Sequence, residues 1–259
     1  MNVTSADAWS GHTRPPGNTR MTWLIARRAA VEALHDRMTV IMGVGTALVL
    51  PVFLIVVGLR PLLDDPSLDS EVSLPMVLSF YLLLVGLVPT ASAAGIAAGQ
   101  FAGEKERGVL TPLLASPASN IAIFAGKVVG AILPAIMYAA IADGVFLIGL
   151  TLAMGVDAMR QIPVPLIVAM LLLVPEVTFF AATVASVISS RVRTFNAAQQ
   201  ISGLLLMPLW GAVFGLAAKL QEWGDLALVG ALVVILALDI ALAVFGARTW
   251  RREEVLSLR

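Results

Sequence analysis

The chain has 259 residues, 59% of them hydrophobic and only 13% charged, with a mean hydropathy of +0.91. An ordinary soluble domain carries about 25% charged residues, so this chain has too little polar material to cover a water-facing surface. Intrinsic disorder needs low hydrophobicity or high net charge and is excluded more firmly. Its 17 basic and 17 acidic residues cancel, leaving no overall field to draw nucleic acid, and the lack of cysteine removes disulfides, thiolate nucleophiles and thiolate metal ligands together.

Met1–Thr19 are polar, contain proline and glycine and hold no long apolar run. Residues 1–20 therefore read as a flexible tail, and no cleavable signal peptide is expected. Residues 21–38 follow as a block free of proline and glycine, made mostly of good helix formers. Leu24, Val31, Leu34 and Met38 fall near one face, Glu32 and Asp36 face away, and Arg27 and His35 border the apolar stripe. This pattern predicts an amphipathic helix lying in the membrane interface, its arginines snorkelling.

Six apolar stretches come next, at about 39–59, 74–98, 128–150, 163–188, 200–218 and 226–247. Each approaches or exceeds the roughly 20 residues a helix needs to cross about 30 Å of hydrocarbon. Pro51, Pro89, Pro134, Pro175 and Pro208 fall within them, positions tolerated in lipid as kinks when neighbours satisfy the freed carbonyls. The fold class predicted is an all-α membrane protein with six transmembrane helices across residues 39–247. If the N-terminus is cytoplasmic, only Arg60, Arg160 and Lys219 of the 17 basic residues lie outside, while the first outer segment holds Asp64, Asp65, Asp69 and Glu71. That bias follows the positive-inside rule and places both termini, including the tail 248–259, in the cytoplasm.

Between spans two and three, residues 99–127 form a cytoplasmic connection. Gly95, Gly99 and Gly103, with Ala91 one turn earlier, make a nearly flat strip suited to close helix packing. Glu104, Lys105, Glu106 and Arg107 then place four charges at the membrane edge, and Gly108 interrupts the helix. Val109, Leu110, Leu113 and Leu114 form a short apolar patch beside them, with Thr111-Pro112 and Ser116-Pro117 as helix starts. Apolar residues beside such dense charge suit a segment that docks onto a partner.

Asp143, Glu176 and Asp239 lie inside spans, where an ionisable residue is costly if it faces lipid. They read either as a polar pathway, which would suit an ion-coupled secondary transporter, or as hydrogen-bonded acids holding helices together. No catalytic constellation accompanies them. His12 and His35 cannot build a multi-histidine metal site. Gly126-Lys127 lacks the rest of a phosphate-binding loop, because Ile121 stands where that motif has glycine and Val128 cannot ligate magnesium. Any ATP-driven work must be done by another chain.

The run Gly103-Glu104-Lys105-Glu106-Arg107-Gly108-Val109-Leu110, with Leu113-Leu114, Ser116-Pro117 and Gly126-Lys127, resembles the signature of ABC transporter permeases of the type-2 exporter family. Leu34-His35-Asp36-Arg37-Met38-Thr39 is similar to that family's passage out of its N-terminal elbow helix. Phe245 with Arg251-Arg252-Glu253-Glu254-Val255-Leu256 is similar to its C-terminal tail. The resemblance implies a non-catalytic permease subunit of the cytoplasmic membrane, working in export with a separately encoded ATPase and a second permease subunit. ATP and Mg2+ would bind the ATPase and no cofactor this chain. The segment between spans two and three would be the coupling helix, with Glu104, Lys105, Glu106 and Arg107 contacting the ATPase and Leu110 and Leu113 entering its groove. The connection Lys219–Asp225 is shorter than in many members of the family.

Overall fold

The computed structural model describes residues 17–61, 74–108, 116–160, 162 and 164–250. Leu110 and Leu113, the acidic segment Asp64–Glu71 and the tail from Arg251 onward lie outside these residues, as does most of 1–20. All regular structure among the described residues is helical. Helix α1 spans Asn18–His35 and α2 spans Arg37–Leu59, its last turn a π-helix from Leu54. Helix α3 is a 33-residue run, Leu74–Glu106. Helix α4 spans Asn120–Met154, α5 spans Val164–Arg191 and α6 spans Phe195–Thr249, with the short turn Val156–Met159 between α4 and α5. Five helices among the described residues are long and apolar enough to cross a membrane. The protein is an all-α, multi-span membrane protein.

The helix boundaries have local causes. Asp36 separates α1 from α2 by a single extended residue, and its carboxylate accepts hydrogen bonds from the Thr39 amide (2.9 Å) and hydroxyl (2.7 Å), capping α2. Ser119 caps α4 through the Ala122 amide and Thr194 caps α6 through the Ala197 amide. Pro89 sits in a 3-10 turn, Val88–Thr90, that interrupts α3, whereas Pro134, Pro175 and Pro208 are carried within α4, α5 and α6.

The largest departure from the sequence pattern is α6. Two helices, 200–218 and 226–247, were expected either side of a short connection; the backbone is instead helical throughout Phe195–Thr249, 55 residues. Residues 216–227 contain no proline and mostly strong helix formers, with Gly224 and Asp225 as the weak positions, so the backbone stays helical there. A straight helix of that length would separate its ends by about 80 Å. Both ends nevertheless lie together: the Phe195 amide meets Glu106, and the Thr249 hydroxyl meets Arg191, four residues before Phe195. The run therefore turns back on itself. Its first limb passes Ala198, packed with Ala98 and Ala102, then Leu206 and Val213. The return passes Leu232 and Ile235 and ends at Trp250, back beside Phe101.

The core falls into two layers along the bundle. One, remote from the charged end, gathers Leu54, Leu59, Leu78, Leu82, Tyr138, Phe146 and Leu150. The other gathers Phe101, Ile123, Phe124, Ala181, Ala185 and Trp250 near it. Helix α1 is seated by small residues, burying Ala26, Ala30 and Ala33 while Trp23, Leu24, Val31 and Leu34 stay exposed. The stripe picked out in the sequence is thus the face α1 turns away from the protein.

Candidate functional site at the charged end of the bundle

The residues Glu104–Arg107 sit where α3 ends; Glu104 and Lys105 are half-buried, whereas Glu106 and Arg107 are exposed. Glu104 forms an ion pair of 2.7 Å with Lys127 of α4, with 15% and 2% of the respective side chains exposed. The Lys127 ammonium also donates to the Gln100 carbonyl and lies 4.8 Å from the centre of the Phe101 ring. Phe101 in turn stacks with Phe124 and meets Trp250. A buried cation is tolerable only when paired and hydrogen-bonded in this way.

The backbone is shaped to meet it. From Gly99 to Gly103 the helix widens to a π-turn, and the Glu104 amide reaches back to Gly99 rather than to Gln100. That offset leaves the Gln100 carbonyl free for Lys127. One turn earlier the Ser189 hydroxyl of α5 enters the ladder itself, donating to Ala98 (2.6 Å) and accepting from the Ala102 amide (2.8 Å). Those two groups are an i, i−4 pair that an unbroken helix would join directly.

Lys105 and Glu106 complete the arrangement. Lys105 donates to the carbonyls of Ser190 (2.8 Å) and Val192 (2.9 Å), at the C-terminal end of α5. Glu106 accepts from the Phe195 amide (3.0 Å), at the N-terminal end of α6. Each charge has the sign that the helix end it meets prefers. Arg107 is exposed, and among the described residues its side chain bonds back to the Gly103 carbonyl, 3.2 Å away. It is also one of the charges acting on Asp36, whose carboxyl is held below its ordinary range mainly by the two Thr39 hydrogen bonds.

The glycine strip behaves differently from its sequence reading. A methyl group added at Gly95, Gly99 or Gly103 would meet side chains at ordinary contact distance: Gln199 at 3.8 Å, Phe195 at 3.7 Å and Arg107 at 3.6 Å. Intimate backbone approach occurs instead at Gly126 and Gly130 of α4. There an added methyl would come within 2.8 Å of the Thr22 carbonyl and 2.9 Å of the Ala26 carbonyl, both on α1. Four residues apart, these glycines form the groove that seats α1.

The intramembrane acids lie apart from the charged end. Asp143 of α4 faces Gly86 of α3, and Glu176 of α5 and Asp239 of α6 lie near one another. One carboxylate oxygen of each acid is buried without a hydrogen-bond partner among the described residues. Among those residues no three His, Cys, Asp or Glu side chains come together as a metal site.

The sequence that builds this arrangement matches a known family: the model of the ABC-2 type transporter family covers residues 20–214. The chain belongs to the ABC-2 type transporter family. No curated protein matches it. It is thus a membrane subunit of an ABC transporter, a multi-pass and non-catalytic transport chain. The match reaches from α1 through the first limb of α6, and so contains α1, Glu104–Arg107, Lys127 and Ser189. Lys127 and Ser189 escaped the sequence reading as site residues. The available signals were a lysine inside an apolar span and a helix end, Ser189-Ser190-Arg191, whose carbonyls needed a cation.

Proposed function

We propose that this ABC-2 subunit spans the membrane six times with both termini in the cytoplasm, α1 serving as its elbow helix and the segment between α3 and α4 as its coupling helix. The meeting of the two ends of α6 supports counting it as two passes. The distribution of lysine and arginine supports the orientation, because the basic residues gather at the end where α1, Glu104–Arg107 and Arg191 lie. A separately encoded ATPase docks at this charged end, two such subunits pair in the bilayer, and ATP hydrolysis in the partner drives solute across the membrane, in the export direction. Arg107 together with Leu110 and Leu113 is the contact offered to the ATPase.

The observation that carries this reading is the charged turn at the end of α3, fastened to α4, α5 and α6 and ending in an exposed arginine. Intramembrane Asp143, Glu176 and Asp239 then act as polar contacts between helices rather than as the energy source. The test is co-expression of the full chain with a neighbouring-gene ATPase. The ATPase should co-purify with the wild-type chain, and Arg107→Glu should weaken the complex. Purification of the wild-type chain free of the ATPase would refute the docking assignment.

A further inference from the structure

We infer that the charged run is divided in its work: Glu104, Lys105 and Glu106 are positioning residues that fasten the coupling segment to three other helices, with buried Lys127 as their pivot, leaving Arg107 to the partner ATPase. This inference rests on the docking assignment above and deepens it. Four charges at a membrane edge invite the reading that all four face the partner. Their partners in the protein say otherwise. Glu104 points at Lys127, which is 2% exposed. Lys105 takes two carbonyls of α5, and Glu106, although exposed, is held by an amide of α6.

The geometry around the pivot is built rather than incidental. A π-turn frees the Gln100 carbonyl, Lys127 takes it, and Ser189 fills the neighbouring gap in the helix ladder. Remove Lys127, and both Glu104 and the Gln100 carbonyl lose their buried partner. Because the staples run to α4, α5 and α6 together, a push on Arg107 cannot move the end of α3 alone. It must displace the ends of those helices with it. The pair Glu104–Lys127 is accordingly the joint through which displacement of the coupling segment becomes displacement of α4.

Buried ion pairs can often be replaced by neutral groups at little cost in stability, and this allows a structural role to be separated from a coupling role. The native chain has no cysteine, so single cysteines report without background. Leu152, exposed near the far end of α4, is changed to Cys in the full chain, which is reconstituted in vesicles with its ATPase. Labelling by a membrane-impermeant maleimide is then followed with and without ATP. The wild-type background should show a several-fold change in labelling rate on adding ATP. Lys127→Met should lose that change and also lower the melting temperature. The double variant Glu104→Gln/Lys127→Met should regain the melting temperature without regaining the ATP response, while still binding the ATPase. A double variant that regains both makes the pair structural and overturns the inference.

A second readout needs no partner. A nitroxide at Arg107→Cys should become more mobile in the double variant than in the wild-type background, and unchanged mobility overturns the inference independently. If the ATPase fails to bind the wild-type chain, the docking assignment falls while this mobility measurement still decides the joint.

Discussion

The seating of α1 can be broken at one methyl group. At Gly130 an added Cβ would lie 2.5 Å from the Ala29 Cβ, 2.9 Å from the Ala26 carbonyl oxygen and 3.4 Å from the Ala26 Cα. Two of these three atoms belong to backbone, so no side-chain rotation relieves the overlap, and α1 must shift outward. Overpacking of this kind costs about 1–3 kcal/mol. Alanine also gains up to about 1 kcal/mol over glycine in helix propensity, which partly masks the effect. Gly95→Ala supplies the control, since its methyl would meet only Gln199 at 3.8 Å and gains the same propensity. The difference between the two variants then isolates packing, and Gly130→Ala should be less stable than Gly95→Ala by about 1–3 kcal/mol. Thermal unfolding in one detergent reads stability, and thiol accessibility at Ala30→Cys reads whether α1 has lifted. Equal stabilities with Ala30→Cys equally protected would refute the close packing of α1 on α4.

Three further outcomes follow from the same contacts. Ser189→Ala removes the hydroxyl joining Ala98 to Ala102 and should cost about 1–3 kcal/mol, the range for leaving buried polar groups unpaired, with faster hydrogen exchange at the Ala102 amide. Asp36 has its folded pKa depressed, chiefly by the Thr39 hydroxyl and then by the Thr39 amide. Its contribution is therefore present above the ordinary carboxyl value of 3.8 and is lost as pH falls through the lower folded value. Protection of the Thr39 amide should drop at the acid end, whereas Asp36→Asn, which keeps a capping group, should flatten that dependence. Gly86→Ala would drive a methyl to 3.0 Å from both Asp143 carboxylate oxygens and into Met170. All three atoms are ends of flexible side chains that can move aside, so Gly86→Ala should destabilise the chain less than Gly130→Ala in thermal unfolding.

What the sequence could reveal depended on whether a feature carried its own signal. The helices as apolar runs did, because lipid demands length and hydropathy that α2 and α4 display residue by residue. The position of Glu104–Arg107 did too, since four charges after an apolar run can only mark a membrane edge. Which way those charges point did not, because it depends on Lys127, Ser190, Val192 and Phe195, between 23 and 89 residues distant along the chain from the charges they meet. The glycine strips show the same limit. Gly95-Gly99-Gly103 and Gly126-Gly130 share one spacing, yet only the second meets a backbone, because α1 presents the Thr22 and Ala26 carbonyls to it. In α6 the absence of proline between residues 216 and 227 was readable, and the break expected there came from hydropathy alone.

The central claim is that this ABC-2 chain moves only when a separate ATPase, docked at its charged end, hydrolyses ATP. The most direct measurement is the labelling rate of Leu152→Cys in sealed vesicles under two energy sources. With the ATPase present, ATP should change the rate several-fold, and a proton or sodium gradient without ATP should leave it unaltered. A change driven by the ion gradient in vesicles holding this chain alone would contradict the account and return Asp143, Glu176 and Asp239 to the centre of the mechanism.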